Sequence, residues 1–372
     1  MTSESGPRAI VVGAGIVGAA CAEALAEAGC RVTVFETAFA GAGATSAAMG
    51  HLVAMDDSAP QLALTSWSRR LWTDRAPSLP ASCEDDPCGT LWVAADEEEM
   101  AHVRARAETY AANGDAVELL DARALREAEP RLRPGLAGGL RVPADRVLYP
   151  PGAARFLLDR ARSLGAGVLE GAHVEALAPR QARAGGTWHE GDLVVNAAGL
   201  AAPVLTPGLP IEPRKGHLVI TDRYPGFLRH QVIELGYLKS AHTLSGPSVA
   251  FNVQPRRTGQ LLIGSSRELV GFDASLNPPL AARMLARATA YVPGLRGLRA
   301  VRSWVGFRPA TPDSLPLIGE WEPGLYVAAG HEGLGITTSL GTARLVADLV
   351  LGRTPPIDPT PFDPRRRGGA HA

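Results

Sequence analysis

Six residues near the start of this 372-residue chain, Gly13-Ala14-Gly15-Ile16-Val17-Gly18, have the types and spacing to hold a pyrophosphate. They fit G-x-G-x-x-G, in which missing side chains let backbone amides approach the phosphates while a helix N-terminus faces their charge. Glu36 lies 18 residues beyond Gly18. A carboxylate there can accept both hydroxyls of an adenosine ribose and would repel a 2′-phosphate, so the pattern predicts FAD or NAD rather than NADP. Further on, Ala40–Leu52 (AGAGATSAAMGHL) is small and polar where an NAD enzyme would begin another helix. It suits a chain lying under the rest of a long cofactor, with Ala44, Thr45 and Ser46 offering amides and hydroxyls; composition alone also allows a surface loop.

Such a turn works only if strand and helix flank it. Arg8–Val12 (RAIVV) reads as a buried strand, Ile16–Ala28 as an alanine-rich helix closed by Gly29, and Arg31–Glu36 (RVTVFE) as the next strand. Together they open a doubly wound α/β domain. After about Ser82 the pattern changes. Gly89–Ala95 suggests a strand, Asp96–Asn113 a charged helix, Gly152–Leu164 another helix, and Asp192–Asn196 a return to the nucleotide sheet. Strands at Gly216–Thr221, Val249–Gln254 and Gln260–Gly264, with a helix at Pro279–Tyr291, are spaced as in an antiparallel sheet. From Ser303 the chain reads as loop, strand (Leu325–Ala329), glycine turn and helix (Thr337–Leu351). The predicted class is α/β, α+β overall. A discontinuous Rossmann-like FAD-binding domain (1–80, 146–212 and 303–372) carries an inserted substrate-binding domain with a mixed or antiparallel sheet (81–145 and 213–302).

The length favours two connected domains over one core. With 37 basic and 38 acidic residues, nothing overall draws the chain to nucleic acid or an anionic membrane. Arg365, Arg366 and Arg367 read as a solvated terminus. Four cysteines make no disulfide framework in a chain of this size, and none sits in a zinc-like or iron-sulfur spacing, so no metal is expected. No apolar run reaches a membrane span and no signal-peptide pattern is present, which predicts a cytoplasmic protein.

Nearly the whole chain resembles the D-amino acid oxidase superfamily of FAD-dependent oxidoreductases, in its glycine oxidase, sarcosine oxidase and D-amino acid dehydrogenase branch. The resemblance is carried by VVGAGIVGAACAEALAEAG and VTVFE, GATSAAMGHL, VVNAAG, GFRPATPDSLPLIG and GLYVAAGHEGLGITTS. MGHLVAMDDS, GYLKSAH and AFNVQPRRTGQLLIGSS look like the FAD subunit of bacterial D-hydroxyproline dehydrogenases and of related opine oxidases and hydrogen cyanide synthases. The resemblance implies that Arg308 grips the substrate carboxylate, as a planar guanidinium can through two parallel hydrogen bonds. It implies that Gly333, Leu334, Gly335, Ile336 and Thr337 turn amides and a helix dipole toward flavin N1 and the C2 oxygen. Val174 would contact adenine, Ala198 and Gly199 would flank the dinucleotide, and Met49, Gly50 and His51 would pass the flavin ring. His51 would touch the ring or take a proton from a substrate ammonium. Met49, Tyr237, Asn252 and His331 would line the substrate pocket. Gly306 falls where sarcosine oxidases carry the cysteine bonded to FAD, and Ala48 near the histidine of sarcosine dehydrogenases, which implies non-covalent FAD.

The reaction these roles imply is hydride removal from the carbon beside the nitrogen of a small amino or imino acid of the D-hydroxyproline or D-proline kind, leaving an imine. Two other readings stay open: an oxidase of glycine or an N-methyl amino acid that uses oxygen, and an electron-transfer subunit that needs redox partner subunits.

Overall fold

The computed structural model describes residues 6–235 and 247–366. Its first sheet has six strands in the order 317–322, 325–329, 193–196, 8–12, 31–36, 167–170. All neighbours are parallel except the edge pair Leu317–Glu322 and Leu325–Ala329. Helix Ile16–Glu27 is built of small residues, and Ala19, Ala20, Ala22, Ala24 and Ala26 are all buried. That lets it pack closely on helices Pro150–Ser163 and Gly335–Val350. Both faces of the sheet are covered, the second by the three-stranded meander Val174–Ala178, Gln181–Ala184 and Thr187–Glu190, which explains the near-continuous apolar strands.

The second sheet has eight strands in the order 300–310, 212–221, 261–267, 248–255, 231–234, 90–94, 138–142, 118–121. It is antiparallel apart from one parallel pair, Gln231–Glu234 with Thr90–Ala94. Helix Pro278–Tyr291, capped by the Asn277 side chain on the Leu280 N–H, packs on one of its faces through Leu280, Met284 and Ala288.

One stretch differs from the sequence expectation. The stretch from Ser303 to the strand at Leu325 reads as a loop, yet Ala300–Ala310, the longest strand among the described residues, belongs to the eight-stranded sheet, and Leu317–Glu322 is an edge strand of the first. Helix Ala59–Arg75 carries no clear apolar stripe because its inward face includes Thr65, Ser66, Ser68 and Arg69. Arg69 is buried with Asp115 and Asp145 as ion-pair partners, and Ser66 donates to Asp115. Two carboxylates around one guanidinium make this polar face stable inside the protein. Among the described residues no helix is long and apolar enough to cross a membrane, and no group of three or more His, Cys, Asp or Glu is placed to hold a metal ion.

Candidate active site

Between the two sheets lies a cavity of about 730 Å³. It starts where strand Arg8–Val12 has Arg31–Glu36 on one side and Leu193–Asn196 on the other. This is the crevice beyond the strand ends in which open α/β sheets bind ligands. Gly13, Gly15, Ile16 and Val17 line it from one side, Ala198 and Gly199 from the other. Gly13 has φ +102°, and a Cβ there would stand 2.6 Å from the Ala197 carbonyl oxygen. Gly18 lies outside the lining and has a packing role: its Cβ would stand 1.9 Å from the Gly13 carbonyl oxygen.

Glu36 closes one end. Its carboxylate accepts the Ala14 and Ala38 N–H groups, each at 2.7 Å, which fixes both oxygens in the wall near Thr37, His173 and Val174. Each oxygen retains a lone pair for a ribose hydroxyl. Thr45 Oγ1 accepts the Ile16 N–H at 3.0 Å, so a residue of the short helix Ala44–Ala47 caps the first helix at the cavity, with Ala44 beside it. Ser46 is exposed, donates to the Gly43 carbonyl at 2.9 Å and stands outside the lining.

At the other end Met49, Gly50 and His51 cross between the sheets. Gln254 Nε2 donates to the Met49 carbonyl at 2.7 Å, and His51 pairs in a short ladder with Val147. Thr337 Oγ1 donates to the His51 carbonyl at 2.9 Å and accepts the Val53 N–H at 3.2 Å. Thr337 is therefore spent on holding this segment, while Gly333, Leu334, Gly335 and Ile336 line the cavity where helix Gly335–Val350 begins. Asn252 lines it from the eight-stranded sheet, in register with Ile233 and Trp92 on the next two strands. Tyr237 lies outside the described residues.

Besides His173 near Glu36, two histidines, His51 and His331, stand in the wall. Burial, eased by a hydrogen bond with Gln231 and reinforced by the Arg308 charge, pulls His51 down to about 4. Burial alone pulls His331, whose Nε2 meets Thr342 Oγ1 at 2.9 Å, down to about 3. Both rings are neutral at ordinary pH.

Arg308 lines the cavity next to Gly306 and donates through Nη1 to the Ser266 carbonyl at 3.1 Å. Sequence reasoning missed Gly216, Arg267 and Glu332, which line the cavity with it, and Trp92, which lines it farther along the sheet. Arg214 pairs with Glu332 at 2.9 Å. Burial raises the Glu332 carboxyl, but Arg267, Arg214 and Arg308 outweigh it and leave the group below its usual range, hence ionised. Arg267 and Arg308 line this end of the cavity, while Arg214 on the strand between theirs is paired with Glu332; two guanidinium groups on the wall suit an anion.

The residues fit FAD. They present an acid, a glycine turn at a helix N-terminus and a broad end between the sheets, the order in which FAD presents adenosine, pyrophosphate and isoalloxazine. At Gly306 a Cβ would stand 2.6 Å from the Ala47 Cβ, so no tethering side chain has room there, and none of the four cysteines lines the cavity.

Residues 8–349 match the family model described as DAO, FAD dependent oxidoreductase. The chain is 31% identical to the glycine oxidase of Pseudomonas aeruginosa over 97% of its own length and 99% of that protein's. The crystal structure of glycine oxidase from Geobacillus kaustophilus superposes with a TM-score of 0.86 at 31% identity, covering 98% of this chain and 100% of that one. The crystal structure of L-proline dehydrogenase from P. horikoshii gives a TM-score of 0.86 at 25% identity, with 97% of each chain covered.

Proposed function

Because the chain belongs to the DAO family of FAD-dependent oxidoreductases, we propose that it oxidises the C–N bond of a small cyclic imino acid of the D-hydroxyproline or D-proline kind to an imine. When bound, FAD supplies the two-electron acceptor for the hydride that leaves the α-carbon. The observation that carries the reading is Arg308 at the broad end of the cavity, among arginines and beyond the glycine turn. Gly13, Gly15 and the Ile16 helix terminus would hold the pyrophosphate, Glu36 the ribose, and Gly333 to Ile336 the ring, without a covalent bond to the protein. Arg308 would take the substrate carboxylate and so fix which hydrogen points at the ring. The wall of Trp92 and Ile233 would exclude water behind the substrate. The likeness to an L-proline dehydrogenase supports a cyclic imino acid. The glycine oxidase relatives favour a second reading, oxidation of glycine or an N-methyl amino acid with oxygen as acceptor.

Anaerobic mixing of the FAD-loaded protein with D-hydroxyproline, D-proline, glycine and sarcosine tests both. Bleaching of the flavin band by the D-imino acids is the expected result. Bleaching by glycine or sarcosine alone moves the assignment to the second reading, and a band that none of them bleaches ends the proposal.

The neutral wall has a further consequence. A histidine at about 4 is too weak a base to hold the proton of a substrate ammonium at neutral pH. The amine must arrive unprotonated. kcat/KM is expected to climb about tenfold per pH unit from pH 6 toward the amine pKa, because the reactive fraction grows by that factor. His51 charges only on acidification to about pH 4, so no second break falls near 6.5. A break there that His51→Asn removes would show the ring acting as a base.

A further inference from the structure

The cavity face of two paired strands carries two glycines side by side, Gly216 of Glu212–Thr221 and Gly306 of Ala300–Ala310. Each leaves a gap filled by something different. Against Gly306 lies the Ala47 methyl group; against Gly216 lies the Arg308 guanidinium. A Cβ at Gly216 would stand 2.6 Å from Nη1, 2.8 Å from Nη2 and 2.9 Å from Cζ of Arg308. Arg308 thus starts on the edge strand, folds back across Gly216 on the neighbouring strand, and donates from Nη1 to the Ser266 carbonyl one strand further in.

We propose that Gly216 is a positioning residue: its missing side chain is the seat that lays the Arg308 guanidinium against the sheet in the orientation that receives the substrate carboxylate. This rests on the reading of Arg308 as the carboxylate grip. The backbone does not demand glycine here, since Gly216 has no positive φ and only the far end of a flexible side chain lies within 3 Å of the added atom. An alanine would therefore lift the guanidinium off its carbonyl partner and leave the strand in place. Its effect would fall on recognition, not on folding.

The experiment is a double-mutant cycle on the FAD-loaded enzyme with Gly216→Ala, Arg308→Ala and the pair. Steady-state KM and kcat, the FAD content, Tm, and binding of acetate as a plain carboxylate probe, read from its Tm shift, are measured for each. Gly216→Ala is expected to raise KM by about tenfold or more, since a displacement near 1 Å can cost that much, with FAD content and Tm close to wild type. Acetate binding should weaken in parallel. With Arg308 already removed, Gly216→Ala should do nothing further, because the group it displaces is gone. The proposal is overturned if KM and acetate binding are unchanged in Gly216→Ala, if the loss persists in the Arg308→Ala background, or if the variant loses FAD or fails to fold. An Arg308→Ala enzyme with wild-type KM would instead remove the carboxylate reading itself.

Discussion

Arg308→Ala is expected to raise KM for the amino or imino acid about 100-fold while the protein keeps its fold and its FAD. Hydrogen bonds to a charged group contribute roughly 1.5–3 kcal/mol each, so losing a bidentate grip of about 3 kcal/mol is roughly a factor of 100. The fold should tolerate the change. Arg308 donates to the Ser266 backbone carbonyl from the cavity wall, and Glu332 keeps Arg214 as an ion-pair partner when Arg308 is removed. Arg308→Lys restores the charge without the planar fork and should recover only part of the loss. Steady-state kinetics beside an absorbance measurement of bound flavin decide it. A KM within threefold of wild type would mean that the carboxylate binds elsewhere.

The second large effect is expected at Gly18, where alanine should give a protein that is colourless or unstable. The added Cβ would stand 1.9 Å from the Gly13 carbonyl oxygen and 2.9 Å from its carbon. Both are backbone atoms of the turn, so helix and strand must separate. Overpacking of this kind costs about 3 kcal/mol, a fall in Tm of roughly 5–10 °C. The separation would open the cradle formed by Gly13 and the first helical turn, so FAD should be lost more completely than stability. Comparing Tm with the flavin-to-protein absorbance ratio checks this; a stable yellow Gly18→Ala protein would refute it. The contrast with Gly216 is physical. One glycine faces backbone that cannot yield, the other faces the tip of a side chain that can.

The part of the site nearest the N-terminus was legible because its determinants are local. Strand, glycine turn, helix and acid follow one another within Arg8–Glu36, and each is set by neighbours in sequence. Leu325–Ala329 also matches the strand expected there. What escaped was fixed by tertiary register. Ala300–Ala310 shows no alternation, since its first four residues are exposed on a sheet edge and Gly306 to Pro309 border the cavity, where the glycine and the proline disguise it further. Trp92, Ile233 and Asn252 come together only because three strands distant in sequence lie in step. Ser46 sits one residue from Thr45, yet its hydroxyl turns back to Gly43; spacing does not say which way such a hydroxyl faces. Glu332 stands directly after His331, and nothing in the sequence announces its partner Arg214, which is 118 residues away.

The crossing at Met49 to Val53 is tied from three sides: a glutamine of the large sheet, a threonine of the last long helix and the strand at Arg146–Val147. A seam stitched in this way transmits force and does not bend. Admission of substrate and departure of product are therefore expected to draw no motion from it.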